Sequence, residues 1–358
     1  MSAETVIGQV DFDSNQPGVG AGRLNRPSRL SFDDVHGRLF VADGGNQRVV
    51  VFDVGADNPT LGATATHVLG QDTFGMSERR VDLRKLAPGQ MILNRRQQQL
   101  MVNEGTVANR TLVFDVHPDR IENNPDAVAL LFQEDFEKSE RRTSQVYENS
   151  PRPFLDEETN TLYVASGYPG GNRVLLMDMS PGQVTTGMPA FDVIGHYDDE
   201  GKPDFNARAA YGRINDRFIY PRGVALDPVD HRLFVNDQYN NRVLMFELDA
   251  ANRIADRVVD VVLGQPDAYT GQLREISART LQIPLALAYD VNSKQLFVGD
   301  GWSNRVMVFD AHPDRLRTFD EAVAVLGQRD FESDEPSVGP DRLNFGVSWG
   351  RGIQSAAP

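Results

Sequence analysis

The 358-residue chain has no cysteine, which excludes disulfides, a thiolate nucleophile and zinc or iron–sulfur sites held by cysteine. Positive charge is scarce as well: 36 Lys and Arg stand against 51 Asp and Glu, a formal balance of −15. Nucleic-acid binding draws its affinity from many cations set against phosphates, so nucleic acid is not an expected partner. No apolar run approaches the ~20 residues of a membrane span. The first residues, Met-Ser-Ala-Glu-Thr, lack the basic and then apolar pattern of a secretory leader. On its face that reads as cytoplasmic, or as secreted or periplasmic had the sequence been trimmed. Histidine is sparse too, with six in all.

Glycine (31) and proline (20) are plentiful beside short Val, Leu and Phe runs, the composition of a turn-rich β protein. One motif recurs throughout. It reads Val6-Ile-Gly-Gln-Val-Asp-Phe12, Val68-Leu-Gly-Gln-Asp-Thr-Phe74 and Leu130-Leu-Phe-Gln-Glu-Asp-Phe136, then Val193-Ile-Gly-His196, Val262-Leu-Gly-Gln265 and Val325-Leu-Gly-Gln-Arg-Asp-Phe331. The spacings between first residues are 62, 62, 63, 69 and 63, which is an internal repeat. Between copies lies Leu39-Phe-Val-Ala-Asp43, a Gly/Asn tip, and Asn46-Gln-Arg-Val-Val-Val-Phe-Asp53, with counterparts beginning at Leu100, Leu162, Leu233 and Leu296. Apolar runs around such a tip specify a β-hairpin. A segment opened by proline or a close neighbour precedes each hairpin: 27–33, 88–94, 150–156, 221–227 and 284–290. Each unit is therefore four short strands, and radially repeated four-stranded sheets are propeller blades.

Pro-x-x-hydrophobic, then Leu-Phe-Val-x-Asp and Asn-x-Arg-Val, resembles the NHL repeat. More narrowly, the chain is similar to bacterial NHL-repeat proteins that carry Val-Leu-Gly-Gln-x-Asp-Phe between blades. The resemblance implies an all-β, NHL-type β-propeller occupying residues 1–358 as one domain. Its units span about 24–71, 86–133, 150–196, 221–265 and 284–328. The termini, 1–12 and 343–358, are assigned to ring closure. Residues 11–25 align without gaps to 330–344, an offset of 319. The chain thus opens with an outer strand that lacks its blade and ends where a sixth blade would start. Val6–Val10 and Phe345–Trp349 are the expected outer and inner strands of that blade. Four arrangements stay open: a two-stranded sixth blade, a five-bladed ring with overhanging ends, closure by a partner chain, or a truncated sequence. A six-bladed plan with five complete four-stranded blades and an incomplete sixth is the expected one.

In a propeller the starts of the inner strands and the tips joining the second and third strands share one face, the expected ligand site. The strand starts carry Arg29, Gln90, Arg152 and Arg222, with Leu285 and Ala286 in the fifth unit, and the tips add Tyr168, Tyr239 and Trp302. Guanidinium groups recognise carboxylate or phosphate, and aromatic tips stack on flat or sugar rings; the alternative is that these arginines pair with neighbouring acidic residues, of which the chain has 51. By contrast, Arg48, Arg110, Arg173, Arg242 and Arg305 follow the tip in every unit. They are expected to be structural, bridging Asp43, Glu104, Asp237 or Asp300. Unit three departs from the rule, with Ser166 in place of the acid and a tip enlarged to 167–171.

No histidine maps to the expected channel: His36 and His231 fall in first-to-second-strand turns, His117 and His312 in loops after the third strand, His67 and His196 near outer strands. Amidating-lyase propellers with the same repeat are similar in fold, but their channel histidines have no match here. Asp11-x-Asp13-x-Asn15 lacks a calcium loop's twelfth-position Glu, which is Gly22. The expected function is a non-catalytic binding module or scaffold for a small anionic molecule, glycan, peptide or partner protein. No cofactor is evident. The alternative is a metal-dependent hydrolase or lyase using channel carboxylates and a divalent ion.

Overall fold

The structure is a computed structural model. It describes residues 3–55, 62–77, 86, 88–104, 108–136, 140, 143–147, 151–167, 171–198, 200–207, 218–256, 258–271, 275–336 and 343. Among these residues the fold is all-β. The first sheet comprises β1 (Pro27–Asp33), β2 (Arg38–Asp43), β3 (Arg48–Asp53) and β4 (His67–Leu69). The second comprises β5 (Met91–Asn94), β6 (Gln99–Asn103), β7 (Thr111–Asp115) and β8 (Ala129–Leu131), and the third β9 (Arg152–Asp156), β10 (Thr161–Ser166), β11 (Arg173–Asp178) and β12 (Asp192–Ile194). The fourth comprises β13 (Pro221–Asp227), β14 (Arg232–Asp237), β15 (Arg242–Glu247) and β16 (Val261–Leu263), and the fifth β17 (Pro284–Asp290), β18 (Gln295–Asp300), β19 (Arg305–Asp310) and β20 (Ala324–Leu326). Each sheet keeps its strands in sequence order. Five separate antiparallel four-stranded sheets are consistent with a β-propeller. Among the described residues no helix is long and apolar enough to cross a membrane.

The chain divides into two compact units. Apart from residues 172–174 and 194, sheets one to three belong to the first; sheets four and five belong to the second. In the first unit, Leu100 and Val102 of β6 pack with Phe40, Val49 and Val51 of the first sheet. The intervening Met101 faces the other way, toward Leu162, Val164 and Leu175 of the third. A strand buried on both faces has no polar side to show, which is why the hairpins read as continuous apolar runs. In the second unit Phe234, Val243 and Met245 meet Leu296, Val298 and Met307 in the same manner.

The recurring Val-Leu-Gly-Gln motif proves to be a strand end plus a junction. The outer strands stop at Leu69, Leu263 and Leu326, because the glycines that follow hold φ of +88°, +89° and +85°, a left-handed conformation only glycine adopts at no steric cost. There is also no room for a side chain. A Cβ on Gly70 would lie 2.7 Å from Leu86 Cγ, and one on Gly264 2.9 Å from Leu281. The same pairing joins Gly8 to Leu24 and Gly327 to Leu343. The buried glutamine then ties the outer strand to its own hairpin. Gln71, Gln133, Gln265 and Gln328 donate from Nε2 to the carbonyls of Gln47, Asn109, Asn241 and Asn304 at 3.0–3.2 Å. Val6–Val10 is not the expected strand: Ile7 makes one isolated parallel bridge to Ala63. The expected strand Phe345–Trp349 lies outside the described residues.

Candidate functional site

The repeated carboxylates at the ends of the second strands are fully engaged. Asp43 accepts the Asn25 amide through Oδ1 at 2.6 Å, and Arg48 Nε and Asn46 Nδ2 through Oδ2, both at 2.8 Å. Asp237 repeats this with Ile219, Asn240 and Arg242 at 2.6, 2.8 and 2.7 Å. Asp300 accepts Gln282 and Arg305 at 2.5 and 2.9 Å, and Glu104 pairs with Arg110. All five repeat arginines are fully buried. The four bridges expected from the sequence are present, and they serve the sheets. Among the described residues no group of three or more His, Asp or Glu is placed to hold a metal ion.

Asp43, Asp237 and Asp300 fix the backbone just before three of the inner strands. The tip amides of Gly45, Tyr239 and Trp302 donate to Asn25, Ile219 and Gln282 at 2.7, 3.1 and 3.1 Å. The residues before the strand prolines, Arg26, Tyr220 and Ile283, are held at φ of 52°, 64° and 56°, which stores local strain. A register shift follows in each case, between Pro27 and Arg29, Pro221 and Gly223, and Pro284 and Ala286. Ser28, Arg222 and Leu285 are therefore the bulged residues, and bulges re-aim side chains.

This sorts the sequence-predicted ligand residues. Arg152 and Arg222 stand one residue after proline, whereas Arg29 and Gln90 stand two after it, so the four are not equivalent. In the first unit Arg29 is exposed, donates to the Ser28 carbonyl at 3.2 Å and borders a mainly apolar cavity of about 570 Å3 with Ile7, Leu24 and Leu30. Gln90 is engaged, donating to the Pro153 carbonyl at 3.1 Å. Arg152 is half-buried at the start of β9. In the second unit Arg222 is half-buried, and among the described residues its guanidinium makes no hydrogen bond or ion pair. Tyr239 is 49% exposed and its ring lies 5.2 Å from that of Tyr220. Trp302, 37% exposed, occupies the tip position equivalent to Tyr239. Tyr168 lies outside the described residues. Tyr220 and Arg222 thus flank the proline of one strand start, and the Tyr239 ring of the adjoining tip lies against that of Tyr220.

Sequence reasoning passed over a second constellation. In the first unit His36 and His67 line a cavity of about 350 Å3 with Arg38, Asp53 and Thr66. The available signal was departure from the repeat. Position 36 corresponds to Gln97, Thr159, Asp230 and Ser293 in the other units, and position 67 to Ala129, Asp192, Val261 and Ala324. Asp33 anchors this corner. Burial works to raise its pKa, but hydrogen bonds from Arg38 and His36 outweigh it and hold the carboxyl below its ordinary value.

Residues 24–52 match the NHL repeat family, consistent with an NHL-repeat propeller. No curated protein matches the chain in sequence. Among solved structures, the periplasmic gluconolactonase of Pseudomonas aeruginosa aligns with a TM-score of 0.51 at 16% identity, covering 87% of this chain and 73% of that one. Two putative 6-phosphogluconolactonases align less closely. That of Bacteroides fragilis gives a TM-score of 0.48 at 14% identity, covering 84% and 70%; that of Bacteroides uniformis gives 0.47 at 16%, covering 84% and 73%. The expected non-catalytic binding module is corrected by the gluconolactonase correspondence. A protein named as an enzyme shares the fold, so a rigid β scaffold with no evident acid–base pair in its sequence is no argument against catalysis.

Proposed function

We propose that the chain is a lactone hydrolase acting on a sugar lactone. The observation that carries this reading is the fold correspondence with the gluconolactonase, and the strand start at Arg222 supplies fitting chemistry. Lactone hydrolysis adds water to the ring carbonyl, breaks the ring C–O bond and yields a hydroxy acid that loses its proton near neutral pH. Negative charge develops on the carbonyl oxygen and ends on a carboxylate. An unpaired guanidinium stabilises both, and the Tyr220–Tyr239 pair offers a surface for the apolar face of a sugar ring. A six-bladed plan with an incomplete sixth blade, spanning 1–358, belongs to the same proposal. Its support is the 319-residue offset and the Gly327–Leu343 junction, which repeats after the fifth sheet the contact that precedes the first.

The test is hydrolysis of glucono-δ-lactone in a pH-stat, measured against the spontaneous rate. The expected result is a rate proportional to protein concentration, with Arg222→Gln lowering kcat by about a hundredfold, the effect of deleting one oxyanion donor. A rate equal to the uncatalysed one refutes the proposal. Undiminished activity of Arg222→Gln moves the site elsewhere.

A further inference from the structure

We propose that the cavity beside His36 and His67 binds a small neutral polyol through a pair of adjacent hydroxyl groups. The inference does not rest on the lactone reading. Its starting point is that two departures from the repeat, thirty-one positions apart in the chain, converge on one hollow. The volume of about 350 Å3 is at the small end for ligand pockets, and Pro118 and Ile121 give it an apolar wall.

The hydrogen bonds behind the two rings fix what they present to the cavity. His36 Nδ1 lies 3.0 Å from Asp33 Oδ2. That carboxyl is held ionised and is acceptor-only, so Nδ1 carries a proton, and in the singly protonated tautomer this selects Nε2 keeps a lone pair. The Thr66 hydroxyl donates to the Val51 carbonyl at 3.2 Å, which leaves its oxygen to accept from His67 Nδ1 at 3.1 Å. His67 Nε2 is therefore an acceptor too. Burial, and then the nearby Arg38 cation, push the His67 pKa below its ordinary value, so this ring is neutral at pH 7. Among the described residues neither Nε2 has a hydrogen-bond partner.

The charges in the hollow select against an anion. The Arg38 guanidinium is committed to Asp33 at 2.8 Å, the Gln98 side chain at 2.6 Å and the Val116 carbonyl at 2.7 Å. Asp53 is exposed, with Oδ1 accepting the Gly55 amide at 3.2 Å. Four of the five Arg38 N–H groups are engaged and its charge is countered by Asp33, so the polar atoms left open are mainly acceptors, two imidazole nitrogens and a carboxylate oxygen. They match a ligand rich in donors and without negative charge, which is the description of vicinal hydroxyls on a small carbon skeleton.

The experiment is a titration of the full chain with D-glucitol, read by the imidazole nitrogen resonances of His36 and His67, with His312 as an internal reference. Both Nε2 signals are expected to move saturably while His312 stays fixed. His36→Gln and His67→Ala are the matched variants, because each installs a residue that another unit carries at that position (Gln97 and Ala129) and so preserves the sheet. Each is expected to weaken binding at least about tenfold, a loss of about 1.4 kcal/mol. The proposal is overturned if neither resonance moves, if His312 moves in parallel, or if the histidine left in either single variant shifts with an unchanged midpoint. It also fails if putrescine saturates the shifts and D-glucitol does not, since the hollow is then an amine site.

Discussion

Replacing Arg305 with methionine isolates the feature that recurs in every sheet. The guanidinium is fully buried. It donates through Nε to Asp300 at 2.9 Å, through Nη1 to the Phe331 carbonyl, and through Nη2 to the carbonyls of Ser277 and Thr280 at 3.2 and 2.9 Å. One side chain thus ties the fifth sheet to the segments before and after it. Arg305→Met keeps much of the volume but leaves the Asp300 carboxylate without its counter-charge, at a cost of about 3–5 kcal/mol for a broken buried pair. The three orphaned carbonyls add to that, each by about 1 kcal/mol where water cannot reach. A loss of at least about 4 kcal/mol is a large share of a stability of about 5–15 kcal/mol. With a urea m-value of about 3 kcal/mol/M, the midpoint falls by about 1 M or more. Urea unfolding followed by the fluorescence of Trp302, three residues away, measures it. The double variant Asp300→Asn, Arg305→Met is expected to regain part of the loss, because it no longer buries an uncompensated charge. A single-variant shift below about 0.3 M (about 1 kcal/mol at this m-value), or a double variant less stable than the single, would refute the reasoning.

Two further outcomes follow from the same geometry. Gly70→Ala must place a Cβ 2.7 Å from Leu86 Cγ at a φ of +88°. It is expected to destabilise the protein by about 2–3 kcal/mol through strain and overpacking, read as a lower melting temperature; an unchanged melting temperature contradicts it. Burial works to raise the Asp227 pKa, but hydrogen bonds from Arg232 and Tyr289 outweigh it and hold the carboxyl below the usual 3.8. Its folded-state pKa is depressed, so its contribution is complete above the unfolded value and is lost as pH falls through the folded one. The deficit of Asp227→Asn in thermal scans is therefore constant above about pH 5 and shrinks below about pH 4. A deficit that widens on acidification reverses the sign.

The five sheets were legible because each repeat restates the same local instructions: proline at the inner strand, apolar runs buried on both faces, and a Gly/Asn tip. The bridges of the repeat arginines were legible for the same reason. Positions that depend on one extra residue were not. Arg29 and Arg222 look alike beside their prolines, yet the bulge at Ser28 and Arg222 puts them in different places. Gln90 reads as a mouth residue, but the neighbouring Pro153 carbonyl claims it. His36 and His67 were set aside because each lies away from the inner strand. The cavity they share is walled by Pro118 and Ile121 of the following unit, a tertiary contact with no local signature.

The glycine–leucine junction carries a consequence for how such a chain changes over generations. Gly8, Gly70, Gly264 and Gly327 each seat the leucine that opens the next unit, so the first, second and fifth units and the segment after the fifth are met by the same contact, whereas Phe132 replaces the glycine after the second sheet. A stretch of 62 or 63 residues cut between two such glycines and rejoined elsewhere would find its fitting neighbour already in place. Unequal crossing-over can therefore add or drop a sheet without a new contact having to be invented, and variation is free to accumulate in the loops that no junction uses.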